Sequence, residues 1–337
     1  MGSGGGCHRQ VSRWRKRPTP GRAAHCAALP GVFAIALVSI SMTAASSISQ
    51  APPRAASKSA YKLLGVLPFM LFALMFLILP TAYLMVGAFQ DAEGHFTLEN
   101  MQGLFEANVL EAYWISCKIS ATSALGGGLL GFVLAWAAVL GKLPAWIRPT
   151  LTTFSGVASN FAGVPLAFAF LSTLGRMGLV TMLLRTCFDI NLYATGFSIL
   201  SFVGLAITYL YFQIPLMVLI VTPALDGLKK EWREACDSLG GTAYHYWRYV
   251  ALPVLWPSVV GAMLLLFANA FGAVATAYAL TGSSLNIVPI LLYAQIRGDV
   301  LHNPNLGYAM ALGMIVITGL ANLGYMLLRT KTERSRA

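Results

Sequence analysis

Charged residues are scarce in this chain of 337 residues. Lys, Arg, Asp and Glu make up 10% of it, whereas 57% of the residues are hydrophobic. Because soluble globular domains carry roughly 25% charged residues, this composition excludes an ordinary soluble domain. Apolar runs of about 20 residues are long enough to cross a bilayer, and several are present. The runs are continuous and do not alternate, which argues against an outer-membrane β-barrel. We therefore expect an all-α polytopic membrane protein.

Motifs for enzymatic or metal chemistry are also missing. No G-x-x-x-x-G-K-[ST] occurs, so the chain lacks a loop that binds nucleotide phosphates. The five His and five Cys residues are dispersed, without HExxH or CxxC spacing, which favours neither a zinc site nor a disulfide framework. The apolar runs have no Asp or Glu at their centres and no G-x-S-x-G. We expect no catalytic residue, no metal site and no cofactor in this chain.

The net charge of +11 does not indicate a nucleic-acid partner. The basic residues stand at the ends of apolar runs, where they set membrane topology, and do not form one face of a soluble domain. The partner indicated by this pattern is the lipid bilayer.

Six membrane helices are predicted from the apolar runs. Prolines inside several of them are tolerable, since neighbouring helices satisfy the freed carbonyls. The predicted spans are Leu63–Phe89, Ala112–Leu140, Thr150–Leu174, Phe197–Leu225, Pro253–Leu280 and Leu306–Leu328.

The distribution of Lys and Arg predicts which side each loop faces. Basic residues precede the first span, follow the last, and occupy the loops between spans two and three and between spans four and five. The loop 90–111 is acidic and has no Lys or Arg, and the opposite side holds only Arg176, Arg185 and Arg297. The positive-inside rule then places both termini and the loop 226–252 in the cytoplasm, with the chain in a bacterial inner membrane.

The first 58 residues fit this topology poorly. A basic cluster, HRQVSRWRKRP, precedes an apolar stretch and small residues, which resembles a signal peptide. Cleavage there, or an extra helix over residues 27–45, would oppose the positive-inside rule. We interpret residues 1–58 as a disordered N-terminal extension, or as a segment with a mis-called start in which translation begins at Met42, with the extra helix as the alternative. Residues 59–328 then form the transmembrane domain, and residues 329–337 form a basic cytoplasmic tail.

The most polar internal segment is EWREACDSLGGTAYHYWRYVALP, residues 231–253. Its first nine residues are good helix formers, and Gly240 and Gly241 interrupt them. The stretch TAYHYWRYVAL can form a second short helix before Pro253. We expect the loop 226–252, called the coupling loop below, to be two short helices joined at glycine.

The coupling loop resembles the EAA loop of the permease subunits of type I bacterial ABC importers. It has E-A-C at 234–236, G at 240 and V-A-L-P at 250–253, and the family pattern is E-A-A, three residues, G, nine residues, I-x-L-P. The departures at Cys236 and Val250 keep small or β-branched apolar character. The resemblance covers about residues 60–328. The flanking segments look most like the polyamine (spermidine/putrescine) branch, which also serves iron, thiamine and phosphonate.

The resemblance implies a six-helix MetI-like permease core that passes a small solute into the cytoplasm by alternating access. Implied partners are a dimer of ATP-binding cassette ATPases, a second permease subunit, for which a paralogue is favoured, and a periplasmic or extracellular solute-binding protein. ATP hydrolysis would belong to the ATPase, into which the coupling loop docks. The residues implied to couple to it are Glu234, Ala235, Cys236, Gly240, Leu252 and Pro253.

A stand-alone secondary carrier is the alternative from another class. Such carriers commonly place ionisable residues at mid-membrane depth, and only Lys118, near the start of the second span, is a candidate here. A long side chain near a helix end usually reaches back to the interface, so this residue supports the alternative weakly.

Uncharged polar residues inside the spans are the candidates for a translocation path. Asn160, Gln213 and Asn269 must find partners in lipid, so each faces another helix or a wet pathway. Bonding between helices is the ordinary role; the functional hypothesis is that these residues line the path. Gly127-x-x-x-Gly131 is a close-packing signature, and we expect it to pack helices within the bundle.

Overall fold

The structure, a computed structural model, describes residues 59–91, 93–141, 143–297 and 303–334. The described residues are mostly helical and contain no β-strand, only an isolated bridge between Gln90 and Phe96. In chain order the α-helices are α1 (Ser59–Ala73), α2 (Leu79–Gly87), α3 (Glu99–Gly103), α4 (Ala107–Leu140), α5 (Ile147–Asn160), α6 (Val164–Leu174), α7 (Leu179–Phe188), α8 (Phe202–Asp226), α9 (Lys230–Ser238), α10 (Ala243–Tyr246), α11 (Leu252–Phe271), α12 (Val274–Thr281), α13 (Val288–Arg297) and α14 (Pro304–Arg334).

Six stretches of the described chain are long and apolar enough to cross a membrane, which confirms the predicted multi-pass all-α class. The predicted extension 1–58 and the last three residues lie outside the described residues, and the first part of the predicted tail continues α14 to Arg334. By length and composition the six stretches are Gly65–Gly87, Ala107–Leu140, Val164–Phe188, Phe202–Asp226, Ala243–Phe271 and Pro304–Thr330.

The third span is not the continuous helix that the sequence predicted. The helix ends at Asn160 and restarts at Val164, with Gly163 at φ 81° between them. Arg148, at the start of α5, forms an ion pair with Asp226, at the end of α8, so α5 begins where α8 ends. The 14 and 11 residues of α5 and α6 rise about 37 Å together. We therefore assign the crossing to α5 and α6, and α7 lies beyond it, at the end of the bundle opposite the coupling loop.

The fifth predicted span, Pro253–Leu280, is wrong at both ends. Helical structure begins at Ala243, inside the coupling loop, and continues through α11 to Phe271. Gly272 and Ala273 then interrupt it before α12 begins at Val274. Hydropathy does not detect the break at Gly272, because the residues on both sides of it are apolar.

Each of two membrane helices contains a π turn directly before a Leu-Pro pair. Leu74–Ile78 precedes Leu79-Pro80, and Trp247–Ala251 precedes Leu252-Pro253. In both turns the leucine N–H donates to the carbonyl five residues earlier, that of Leu74 and that of Trp247. A proline has no N–H and clashes with the carbonyl of residue i−4. The wider turn accommodates the proline without ending the helix.

Glycines bring α4 and α8 into close contact, as the sequence predicted. A Cβ added at Gly127 would lie 2.5 Å from the Cβ of Gln213, and one added at Gly131 would lie 2.6 Å from the Cβ of Met217. Both partners are fully buried. Gly127-x-x-x-Gly131 therefore packs helices inside the bundle, and we call this contact the glycine seam.

Candidate coupling loop and translocation pathway

The first helix of the coupling loop, α9, presents its motif residues to solvent. Glu234 and Ala235 are exposed, whereas Cys236 on the inner side is half-buried. No residue of α9 is buried. The described residues therefore leave the outward face of α9, with its small Ala235 side chain, open to a partner.

Gly240 ends α9 in a way that only glycine, or at some cost asparagine, can adopt. Its φ is +77°, in the left-handed region. Its N–H donates to the carbonyl of Asp237 at 3.0 Å, and the N–H of Gly241 donates to the carbonyl of Cys236 at 2.9 Å. This pair of bonds is a Schellman motif with Gly240 at the C′ position. The glycine of the motif thus fixes the angle between α9 and the part of the coupling loop that follows it.

A capping residue starts α10 immediately after this turn. The backbone N–H of Thr242 donates to Nδ1 of His245 at 3.3 Å, and the Thr242 hydroxyl lies 2.8 Å from the same nitrogen. His245 thus takes the reciprocal role that Glu or Gln plays in a capping box. The loop contains two helices joined at glycine, as predicted. However, α10 is not a separate helix, because it runs through the π turn into α11.

The rigid continuation into α11 makes the second half of the loop the end of a membrane helix. Trp247 in the π turn packs edge-on against Trp136 of α4, with ring centroids 6.0 Å apart. Ala251 is fully buried, while Leu252 is 52% exposed, and Pro253 lies in the first turn of α11. A displacement of the loop would therefore be transmitted directly to the fifth span.

Arg233 connects the two helices of the loop. Its Nε donates to both carboxylate oxygens of Asp237, at 3.1 and 3.2 Å. Its guanidinium lies over the ring of Tyr246, 5.3 Å from the centroid. The i,i+4 spacing of Arg233 and Asp237 was a usable sequence signal for this brace, which was not predicted.

The two helix breaks meet inside the bundle. The N–H of Gly163, between α5 and α6, donates to the hydroxyl of Thr276 on α12 at 2.7 Å. The carbonyl of Ala273, between α11 and α12, accepts from the hydroxyl of Tyr209 at 3.1 Å. Irregular backbone within a membrane is tolerated where protein buries it or where it lines a cavity. These two bonds satisfy part of the backbone that the breaks leave without helical partners.

The three candidate pathway residues occupy different surroundings. Asn160, the last residue of α5, is exposed, and its amide donates to the carbonyl of Gly156 at 2.8 Å. Asn269, three residues before the break that begins at Gly272, is half-buried on α11. Gln213 is fully buried and donates from Nε2 to the carbonyl of Leu266 on α11 at 2.8 Å. Asn160 and Asn269 thus lie next to the two helix breaks, whereas Gln213 bonds two helices at the glycine seam.

Lys118, the residue considered for a carrier, lies on the surface of α4. Its Nζ is 4.7 Å from the ring centroid of Trp114, one turn away. The described residues contain no group of three or more His, Cys, Asp or Glu placed to hold a metal ion.

Curated relatives of the chain are permease proteins of transport systems. No protein-family model matches the chain. It is 22% identical over 271 residues to the spermidine/putrescine transport system permease PotB of Haemophilus influenzae, covering 77% of this chain and 92% of that protein. It is 26% identical over 207 residues to the sulfate transport system permease CysT of Escherichia coli, covering 60% and 69%. The match to the probable sulfate permease cysT of Chlorella vulgaris, 28% identical, covers 48% of this chain and 58% of the relative.

The fold agrees with these relatives. A chain of a bacterial ABC transporter that imports the polysaccharide alginate aligns over 82% of this chain and 96% of its own, with a TM-score of 0.61 and 15% sequence identity. The resemblance to ABC importer permeases is therefore confirmed in sequence and in fold. These relatives are named as transport permeases, which agrees with the expectation of a transport subunit.

Proposed function

We propose that this chain is the membrane-spanning permease subunit of a binding-protein-dependent ABC importer, with the coupling loop docking into a separate ATPase. The observation that carries the proposal is the geometry of α9. Glu234 and Ala235 face outward on a short helix whose exit is fixed by Gly240, and the next helix continues into the fifth span without a break. Such a loop can transmit a displacement of the partner to the bundle as one rigid unit.

In the proposed mechanism, a dimer of ATPases closes on ATP and draws the coupling loops of two permeases together. The rigid unit formed by the coupling loop and α11 includes Cys236 on the inner side of α9. It also includes Leu252 and Pro253 at the start of α11. The bundle then opens toward a loaded solute-binding protein, and hydrolysis returns it to the cytoplasm-facing state. We propose a paralogue as the second permease, and cytoplasmic termini as the positive-inside rule predicts.

Copurification tests the partnership. The chain would be tagged at its C-terminus, solubilised from its native membrane, and the retained proteins identified by mass spectrometry. We expect an ATPase with a phosphate-binding loop, and we expect Glu234→Arg to release it while the yield of monodisperse permease stays unchanged. Glu111→Arg makes the same charge reversal at the exposed start of α4, at the other end of the bundle, and should retain the ATPase. If neither the unaltered chain nor Glu111→Arg retained an ATPase under conditions that preserve a control importer, the result would favour a stand-alone carrier.

Asn160 and Asn269 are the residues we propose to line the translocation path, because they flank the two breaks that meet in the bundle. Substituting each with Leu keeps the approximate side-chain volume and removes the amide. We expect both variants to insert normally and to lose uptake at least several-fold, since a polar lining would become apolar. Gln213→Leu removes an amide that bonds α8 to α11, so we expect it to lower the unfolding midpoint, and it shows how a loss of folding differs from a loss of the path. Full uptake by both asparagine variants would remove them from the path.

The substrate class is proposed as a small solute, and we favour a polyamine. The resemblance of the flanking segments and the relative named for spermidine and putrescine support a polyamine. The relatives named for sulfate support the competing class. The ligand carried by the copurified binding protein would decide between a cation and an anion.

A further inference from the structure

An open cavity of about 630 Å³ lies at the end of the bundle opposite the coupling loop, between α7 and the segment that follows it. Arg176 and Arg185 line it together with Thr181, Asn191 and Tyr193, and none of the residues that line it is acidic. Within the described residues, neither arginine forms an ion pair. Two uncompensated positive charges therefore share one concave surface.

Tyr193 anchors one of the two arginines. Its hydroxyl donates to the carbonyl of Leu174 at 2.9 Å, at the end of α6. The guanidinium of Arg176 lies 5.7 Å from the centroid of the same ring. A tyrosine tied to the helix thus supports the guanidinium from one side and leaves its N–H groups for another partner.

A buried hydroxyl in the cavity wall lacks a partner. Thr181 is only 6% exposed, and its Oγ1 makes no hydrogen bond to the described residues. Leaving such a group unsatisfied is costly. The neighbouring Thr186 hydroxyl, in contrast, donates to the carbonyl of Met182 at 2.8 Å. Thr181 is therefore the hydroxyl in this wall that is available to an acceptor.

The outer face of α7 is apolar and exposed. Leu179, Leu183 and Phe188 are 65%, 52% and 69% exposed, and the helix follows directly after a membrane-crossing segment. Apolar side chains beside basic residues are typical of a helix that lies in the membrane interface. A helix lying in the interface would place this cavity near lipid phosphate groups.

We propose that this cavity binds a tetrahedral oxyanion of the phosphate or sulfate type, held by Arg176, Arg185 and Thr181, with Asn191 as a further donor. Guanidinium groups suit such oxygens because they offer several N–H donors in a planar fork. The headgroup of an anionic phospholipid and a free inorganic anion share this chemistry. The proposal does not depend on the proposed import function.

The test measures the thermal unfolding midpoint of the purified full chain in a nonionic detergent. Phosphatidylglycerol is titrated into the micelles, with phosphatidylcholine as the comparison lipid. Sodium phosphate and sodium sulfate are titrated separately against sodium chloride at equal ionic strength. We expect a saturable rise of the midpoint with an oxyanion source. A rise with phosphatidylglycerol alone identifies a lipid headgroup, and a rise with the inorganic salts as well identifies a site open to free anions.

Variants locate the effect. The double variant Arg176→Gln with Arg185→Gln is expected to weaken the apparent affinity about a hundredfold, since each lost charge-assisted bond is worth a factor of about ten. Thr181→Val should weaken it about threefold. Lys229→Gln with Lys230→Gln removes the same charge from exposed positions at the opposite end and should leave the affinity unchanged.

The proposal would be overturned if no oxyanion gave a saturable shift, or if the double arginine variant responded like the unaltered protein. If the glutamine pair does not fold, Arg176→Lys with Arg185→Lys keeps both charges and removes the planar fork. Unchanged affinity in that variant would also contradict the site. Reduced retention of a binding protein without any anion effect would assign the arginines to protein docking instead.

Discussion

Helix α8 leads from the glycine seam to the coupling loop, yet different forces hold the two regions together. At the seam, α4 and α8 approach so closely that glycine is the largest residue that fits, and the facing side chains are fully buried. In the loop, no residue of α9 is buried, and its shape depends on a Schellman turn, a cap and one arginine brace. Damage to the seam should therefore reduce folding, whereas damage to the loop should reduce coupling in a bundle that still folds.

The largest effect is expected at the seam. A Cβ at Gly131 would lie 2.7 Å from the carbonyl oxygen of Ile214 as well as against Met217, so the helices would have to separate. We expect Gly131→Ala to destabilise the protein by about 1–3 kcal/mol, measured as a lower unfolding midpoint in detergent and a lower yield of monodisperse protein.

Gly156→Ala is the matched control for that substitution. Gly156 lies in the membrane helix α5, and an added Cβ would meet nothing within 4 Å. We expect its unfolding midpoint to equal or exceed that of the unaltered protein. If both variants lowered the unfolding midpoint equally, the chain would tolerate no alanine in its spans. The close contact at the seam would then not explain the effect of Gly131→Ala.

A smaller effect on stability, with a larger one on activity, is expected at Gly240. Its left-handed φ costs a residue with a Cβ roughly 1–2 kcal/mol, while an added Cβ meets no atom within 4 Å. Gly240→Ala should shift the angle between α9 and the rest of the loop and lower ATP-driven uptake, with a smaller fall in the unfolding midpoint than Gly131→Ala causes. Gly240→Asn should recover part of the activity, because asparagine tolerates this conformation.

Gly94→Ala separates backbone strain from location. Gly94 has φ +85° and equally open surroundings, but it lies in the loop at the opposite end of the bundle. We expect uptake to be retained in this variant. Loss of uptake in Gly94→Ala to the same extent as in Gly240→Ala would contradict a specific role for the coupling loop.

Composition and apolar runs were sufficient to predict six spans, because crossing a bilayer demands about 20 apolar residues wherever the chain runs. The glycine spacing also predicted the seam. The helix breaks at Gly163 and Gly272 were missed, since a hydrophobic run looks the same whether the helix continues or not. Gly163-Val164-Pro165 was the available signal, as glycine and proline interrupt helices.

The coupling loop was predicted in part. Its two helices and its glycine turn follow from local propensity, but the junction of α10 with α11 depends on a π turn that accommodates Pro253. The candidate path residues could not be placed from sequence alone. Asn160, Gln213 and Asn269 are all amides in apolar runs, and only three-dimensional packing separates the one that bonds helices from the two that lie beside breaks.

Site-specific photo-crosslinking tests the central claim most directly. A benzophenone amino acid would be placed at Ala235, on the outward face of α9, and separately at Phe105, which is 75% exposed at the other end of the bundle. Irradiation of native membranes should produce an adduct with an ATPase from position 235 and none from position 105. An ATPase that copurifies but forms no adduct at 235, or forms it equally at 105, would contradict docking through the coupling loop.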